Sequence, residues 1–360
     1  MVEQKKKNYE RVWIISDIHF GLHAVSLKWL EETERYFDNF LIPLIKENKQ
    51  ENDCLFILGD VFDNRININS IVLNKVLKIF KKLSKMLPIE ILVGNHDTAY
   101  KTSNDINSLN IFNYLPNINV YSEPVCLNCS QKKLLMIPWR SSDEDFLSAI
   151  SDVPGADYLF AHHDFQGLRY NSNIYVEEGV DVSKIESVDS IKQIYSGHIH
   201  LRQEYKNVKM VGNPFHQTRN DIGNEKGVYL LDLKTDQDEF HYNHFSPCFL
   251  RLNFVDLVEM KRKDAERLIS NSILDLVIPK KIQNHYAWSK LTDLLKLTNE
   301  TRYIITEDDV NSNYEMSKGL TQFKLDDELN IYLNALEQPA EVKQLMKVKI
   351  KELYDSAISQ

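Results

Sequence analysis

Cysteine is scarce in this chain: four residues in 360, of which only Cys126 and Cys129 stand close together. That number builds no disulfide framework, and a zinc ribbon would need a second such pair, so the expectation is free thiols in a reducing compartment, with Cys126–Cys129 read as a turn. Long apolar runs are missing as well. Val12 to Ser16 is a short one that soon meets charged residues. It fits neither a signal peptide nor a membrane span, and the chain is expected to be cytoplasmic with no membrane contact. Repeats and low-complexity tracts are absent. Positive charge is in deficit, 43 Lys+Arg against 52 Asp+Glu for a net −9, which argues against a broad basic surface without excluding a local one. The lysine-rich run Lys5 to Lys7 reads as a solvated tail.

What is present is a 43% hydrophobic chain, long enough for a sizeable core and about two domains. Short runs rich in Val, Ile, Leu and Phe recur at 12–16, 54–58, 89–93, 133–137, 158–161, 208–211 and 228–231. They have the length and composition of buried strands. Between the first three lie helical stripes, Leu30, Phe37, Leu41 and Leu44, then Leu73, Val76, Leu77, Phe80 and Leu83. This alternation defines a layered α/β fold. From Phe249 a smaller unit begins, with helices expected near 263–270 and 287–297 and strands near 273–278 and 302–306. The polar stretch at 307–319 lacks apolar periodicity and reads as a linker. Beyond it, Leu329 to Leu336 and Val342 to Ala357 form two apolar stripes broken at Pro339, a helical hairpin.

Five polar clusters each come after an apolar run: Asp17-Ile-His19, Gly59-Asp60-Val-Phe-Asp63, Gly94-Asn95-His96-Asp97, His162-His163 and Gly197-His198-Ile-His200. Strand ends at one edge of an α/β sheet are where loops converge, so the five can meet. Asp-x-His and His-x-His in extended backbone put two side chains on one side. Six of the eleven histidines fall in these clusters. Carboxylate, amide oxygen and imidazole together suit manganese, iron or zinc, and no thiolate is present to demand a softer ion. Only one of His162 and His163 can face the site from a strand.

The set resembles the calcineurin-like metallophosphoesterase superfamily across roughly residues 10 to 235. That resemblance implies a four-layer β-sandwich flanked by helices. It also implies two divalent ions, Mn2+ first and Mg2+, Fe2+ or Zn2+ as alternatives. One ion would be held by Asp17, His19, Asp60 and His200. The other would be held by Asp60, Asn95, His162 and His198, with Asp60 bridging; likeness to a Gly-His or Ala-His ligand motif selects His162 over His163. His96 is the implied catalyst that is not a ligand, oriented by Asp97. Two ions about 3.5 to 4 Å apart would acidify a water and clamp the phosphoryl oxygens. Asp63, Arg65 and His23 are candidate substrate contacts. Asp63 alternatively caps the next helix, while His23 and His216 are expected at the surface or in a groove.

Within the superfamily the chain resembles the SbcD-type DNA double-strand-break repair nucleases, most of all their short bacteriophage versions. Asp17-Ile-His-Phe-Gly21, Gly59-Asp-Val-Phe-Asp-Asn-Arg65, Ile137-Pro-Trp139, Gly212-Asn-Pro214 and Lys226-Gly227 carry the likeness, in order. It implies a nuclease domain over 1–248, a smaller α/β capping, DNA-contacting domain over 249–308 and a linker over 309–324. The hairpin over 325–360 would bind an SbcC-type, SMC-like ATPase. It further implies an exonuclease and endonuclease acting on DNA as a homodimer, in the host-cell cytoplasm if phage-encoded. A phosphatase or nucleotide phosphodiesterase acting on a small molecule or phosphoprotein is the alternative enzyme, and a non-catalytic scaffold for the ATPase a third reading.

Overall fold

The computed structural model describes residues 2–279 except 101, 130–131, 172–173 and 187–190, then 287–306, 343, 346–347 and 349, with backbone alone for 287–290. Two compact units are present, Met1–Asp309 and Val310–Gln360. The expected linker and helical hairpin lie almost wholly outside the described residues.

The main body of the first unit has two sheets. One runs Gln237–Tyr242, Gly227–Asp232, Arg11–Ile15, Asp53–Ile57, Ile89–Leu92, Ile118–Tyr121 in spatial order. The other runs Glu3–Lys7, Val125–Cys129, Lys132–Ile137, Tyr158–His162, Gln193–Gly197, Val208–Met210, Gln203–Tyr205. Because strand side chains alternate, each central strand feeds two cores. Val12, Ile14, Cys54, Phe56, Leu134, Met136, Tyr158 and Phe160 fill the space between the sheets. Trp13, Ile15, Leu55 and Ile57 point the other way, onto Leu30, Phe37, Val76 and Phe80 of the helical layer. Leu135, Ile137, Leu159 and Ala161 meet Phe146, Ala149 and Ile150 on the opposite outside face. The result is the expected four-layer α/β sandwich. Phe56 is fully buried and meets Phe160 edge to face at 4.8 Å, so truncating it to Ala should cost roughly 3–5 kcal/mol.

The helical stripe from Leu30 to Leu44 is one run in three pieces: a helix Leu27–Tyr36, a wide π turn Phe37–Leu41, and a helix Ile42–Asn48 with Pro43 in its first turn. Pro43 has no N–H to give the preceding turn, which accounts for the widening. The stripe from Leu73 to Leu83 lies in the helix Ser70–Leu83, capped by Asn69, whose side chain accepts from the Ile71 N–H at 2.8 Å. Asp63 is therefore not the cap.

Two further readings are corrected. Lys5 to Lys7 is not a tail: Glu3–Lys7 pairs in parallel with Val125–Cys129, and Lys7 donates to the buried Glu90 at 2.7 Å. Nor is Cys126–Cys129 a turn, since both cysteines lie in that partner strand and are buried free thiols. Charged composition hid the first strand and the short Cys spacing hid the second.

After Tyr242 the chain builds a three-stranded parallel sheet, Cys248–Asn253, Ser272–Pro279 and Glu300–Thr306. Helices Phe254–Glu259, Arg262–Ile269 and Ala287–Leu295 join these strands, and Leu274, Leu276 and Ile278 bury against Phe254, Leu257, Ala265, Ile269 and Leu291. Among the described residues no helix is long and apolar enough to cross a membrane.

Candidate metal centre

Parallel register delivers the polar clusters to one place. Ile15 aligns with Ile57, and Ile57 with Ile91, so Asp17, Asp60 and Asn95 leave the first sheet at the same edge. His162 aligns with Gly197 in the second sheet, so His198 and His200 leave alongside it. The two edges are stitched together where they meet. Leu58 O accepts from His162 Nδ1 at 2.6 Å and from Ser16 Oγ at 3.0 Å, while the Asp17 and His19 N–H groups donate to Gly59 O and Asp60 O at 3.1 and 3.0 Å. Glycine is needed at Gly94, where a Cβ would overlap the Asp60 carboxylate and backbone nitrogen, and at Gly197, where it would overlap Ser16 Oγ.

Among the described residues three groups of ligand atoms able to hold a metal ion result: Asp17, His19 and His200; Asp60, His162 and His198; and His19, Asp63 and His96. His19 Nε2 and His200 Nε2 face each other at 3.0 Å, and His19 Nε2 lies 3.6 Å from an Asp60 oxygen. In the second group the Asn95 side-chain oxygen lies 2.9 Å from His162 Nε2 and 2.8 Å from His198 Nδ1, with Asp60 Oδ1 3.4 Å from His162 Nε2. The Asn95 amide can turn its NH2 inward to donate to both imidazoles and Asp60, or its oxygen, in which case amide oxygen, carboxylate and two imidazoles converge as acceptors. Acceptors gathered in that way fit a cation, and this donor set fits a divalent one. Burial drives the His19 pKa well below 6.5, which keeps one ring nitrogen free of a proton. At His162 burial opposes the proton, but the neighbouring Asp60 and Asp17 carboxylates raise the pKa to about 9.

His163 turns away from the centre, stacked on Trp139 at 5.4 Å and beside Phe146 at 4.6 Å, its pKa lowered by burial to about 4. His96 sits against His19, ring centroids 4.9 Å apart, and its Nδ1–H donates to the Asp63 carbonyl at 2.8 Å. Asp97 therefore does not orient His96. Its carboxylate accepts from the Val61, Phe62 and Gly94 N–H groups at 3.1, 3.1 and 3.0 Å, joining the loop of Asp60 to that of Asn95. Burial and the nearby Asp60 charge push the Asp97 pKa up to about 8 against those three donors. Asp63 Oδ1 approaches His19 Nδ1 at 3.8 Å, and Arg65 Nη2 lies 3.1 Å from the Asn95 amide. His23 is exposed and donates to Gln217 O at 2.9 Å. His216, expected near the surface, is buried: Phe249 N–H donates to its Nδ1 at 3.1 Å and its Nε2–H donates to Asn224 O at 3.0 Å.

Sequence reasoning missed Asp164, whose Oδ2 lies 3.3 Å from His198 Nε2 and accepts from Tyr170 OH at 2.9 Å. It also missed the buried pair of Lys226 and Asp221, 2.7 Å apart. Lys226 donates to His200 O at 2.6 Å, and Gln217, held by Asp221, donates to Asp17 O at 2.7 Å, so one network positions two candidate ligands from behind. Adjacency to His162 was the available signal for Asp164.

Residues 10–202, over half of the 360, match the calcineurin-like phosphoesterase family, and the chain belongs to it: this is a metal-dependent phosphoesterase. Its relatives include "Exonuclease subunit 1" of Enterobacteria phage T4, 27% identical over 236 residues, covering 64% of this chain and 67% of that one. "Putative phosphoesterase 078R" of Invertebrate iridescent virus 3 is 24% identical over 278 residues, 74% of each chain. "Putative phosphoesterase 244L" of Invertebrate iridescent virus 6 is 22% identical over 213 residues, 56% of this chain and 69% of that one.

Proposed function

We propose that the chain is a Mn2+-dependent DNA nuclease, both exonuclease and endonuclease, hydrolysing phosphodiester bonds as the nuclease subunit of a recombination and repair complex. Asp17, His19, Asp60 and His200 would hold one ion, and Asp60, Asn95, His162 and His198 the other. The observation that carries this reading is the two ligand clusters that meet at Asp60, with His96 beside them, its ring bonded through Nδ1 and its backbone N–H donating to Asp60. Two divalent ions held by these residues would supply an acidified water and neutralise phosphoryl oxygens. The Asp63 carbonyl holds the Nδ1 proton of His96, so Nε2 is the basic nitrogen of the neutral ring; once it has taken up a proton, the imidazolium would pass that proton from Nε2 to the leaving oxygen and return to the neutral Nδ1–H form. Arg65 presents a guanidinium beside Asn95, suited to a phosphoryl oxygen. The name of the phage T4 relative supports a nucleic-acid substrate and a multisubunit assembly. In that assembly residues 325–360 would bind an SbcC-type ATPase and the chain would pair with a second copy.

The test incubates wild-type and His96→Ala protein with Mn2+ and end-labelled duplex, single-stranded and hairpin DNA, alongside a small aryl phosphate. Wild type should cut DNA, and His96→Ala should bind both ions yet lose roughly 10²–10⁴-fold in turnover. Hydrolysis of the aryl phosphate alone would replace the nuclease by a small-molecule phosphatase, the reading that the net charge of −9 favours. Normal turnover in His96→Ala would remove that residue from the chemistry.

A further inference from the structure

Asp275 lies in the central strand of the three-stranded sheet, opposite Arg251 on one neighbour and Arg302 on the other. Its side chain is 1% exposed, yet three guanidinium groups reach it. Arg302 donates through Nε at 2.9 Å and Nη2 at 2.6 Å, Arg219 donates through Nε at 3.0 Å, and Arg251 Nη2 lies at 3.5 Å. The arginines themselves stay open, with side-chain exposures of 48%, 35% and 55% for Arg302, Arg219 and Arg251. Among the described residues no second carboxylate comes within ion-pair distance of any of the three. Glu300, further along the edge, is occupied by Lys28 at 3.9 Å.

One carboxylate neutralises one guanidinium, so the cluster carries a net +2 in a chain whose total is −9. A tie between the sandwich and the small sheet needs only Arg219 and Asp275. Arg251 and Arg302 come from the same sheet as Asp275 and tie nothing across. Their charges repel, and a shared buried carboxylate offsets that only in part. Three planar donor forks fixed around one point and half open to solvent are instead matched to a tetrahedral oxyanion.

A chain of ring contacts leads from Arg219 toward His23, near the metal centre in sequence. Arg219 lies over the Phe249 ring at 5.5 Å, Phe249 stacks on Trp29 at 5.9 Å, and Trp29 meets His23, four residues beyond His19. Arg219, Phe249, Trp29, His23 and Lys28, with Glu300, line a cleft of about 400 Å³ that Arg251 and Arg302 do not enter. Gln217, two residues before Arg219, donates to Asp17 O.

We propose that Arg219, Arg251 and Arg302 form a second anion site, taking a phosphate of the nucleic-acid backbone other than the one being hydrolysed. It rests on the nuclease reading and sets where along a strand the metal centre acts. The test uses the full chain carrying Arg251→Gln and Arg302→Gln together, which leaves the Arg219–Asp275 pair in place. Binding of a labelled oligonucleotide in EDTA is measured across a salt series, and Mn2+-dependent cutting of the same oligonucleotide is compared with hydrolysis of bis(p-nitrophenyl) phosphate.

Affinity should fall about tenfold, the slope of log K against log salt should become shallower by about 1, and the ratio of oligonucleotide to aryl-diester hydrolysis should fall in parallel. The Arg251→Lys, Arg302→Lys pair should restore part of the salt slope. Unchanged affinity and slope in a variant whose wild type binds and cuts would overturn the site alone. An equal loss on both substrates with a lowered melting temperature would overturn it in favour of a structural role. A wild type that hydrolyses the aryl diester but neither binds nor cuts the oligonucleotide would overturn the nuclease reading, and the site with it.

Discussion

Asp17, His19, Asp60 and His198 all hold left-handed backbone, with φ of 54°, 53°, 53° and 84°. Such conformations cost roughly 1–3 kcal/mol each in a residue with a side chain. Hydrogen bonds between the loops hold them there, the His198 N–H bonding both Asp17 oxygens at 3.1 Å. Strain of this kind cannot be seen in a sequence, although Gly59 and Gly94 beside Asp60 and Asn95 hinted at crowding. Asp164 is the residue whose role rests most directly on geometry. It fixes His198 from Nε2 and leaves Nδ1 aimed at Asn95. A carboxylate behind a ligating histidine typically contributes 10–100-fold in metal affinity. Asp164→Ala should therefore weaken one of two Mn2+ affinities by that factor and spare the other, with Asp164→Asn intermediate. Calorimetric titration of metal-free protein measures this, and two unchanged affinities would remove Asp164 from the site.

At the scale of elements, strands buried on both faces were legible because their apolar runs are continuous, as in Cys54–Leu58 and Tyr158–Ala161. The strand Gln193–Gly197 was not, since its buried Ser196 looks polar in sequence but bonds His163 N–H at 3.1 Å. The two readings that failed around the site, Asp97 as a partner of His96 and His216 as a surface group, both concern which of several neighbours a polar atom chooses. Contact across 33 residues, as between His216 and Phe249, leaves no local pattern. That contact makes a pH prediction. His216 titrates at about 4 in the fold because burial disfavours its charged form, against 6.5 when free. As pH falls through 6.5 the unfolded chain takes the proton first, so stability is lost between about 6.5 and 4 and changes no further below, on the order of 3 kcal/mol in all. A protonated Nδ1 would also confront the Phe249 N–H. Urea midpoints of wild type and His216→Gln across this window should converge as pH falls. A constant gap would show that His216 contributes nothing to the pH response.

The whole molecule divides at Asp309, and the candidate metal centre, the arginine cluster and all four described hydrophobic clusters belong to the first unit. Every group assigned to metal, proton transfer or phosphate is thus carried by residues before the boundary. The residues beyond it supply none of the proposed chemistry, so their proposed role is association. The apolar stripe from Val342 to Ala357 has the spacing of a helix laid into a partner's groove. Deleting residues 320–360 should then leave Mn2+-dependent hydrolysis of bis(p-nitrophenyl) phosphate within about twofold of wild type and abolish co-purification with an SMC-like ATPase encoded by the same genome. Measuring both on one preparation separates the outcomes. Retained association would move the docking surface into the first unit, whereas lost hydrolysis would mean that the second unit is needed to keep the first one folded.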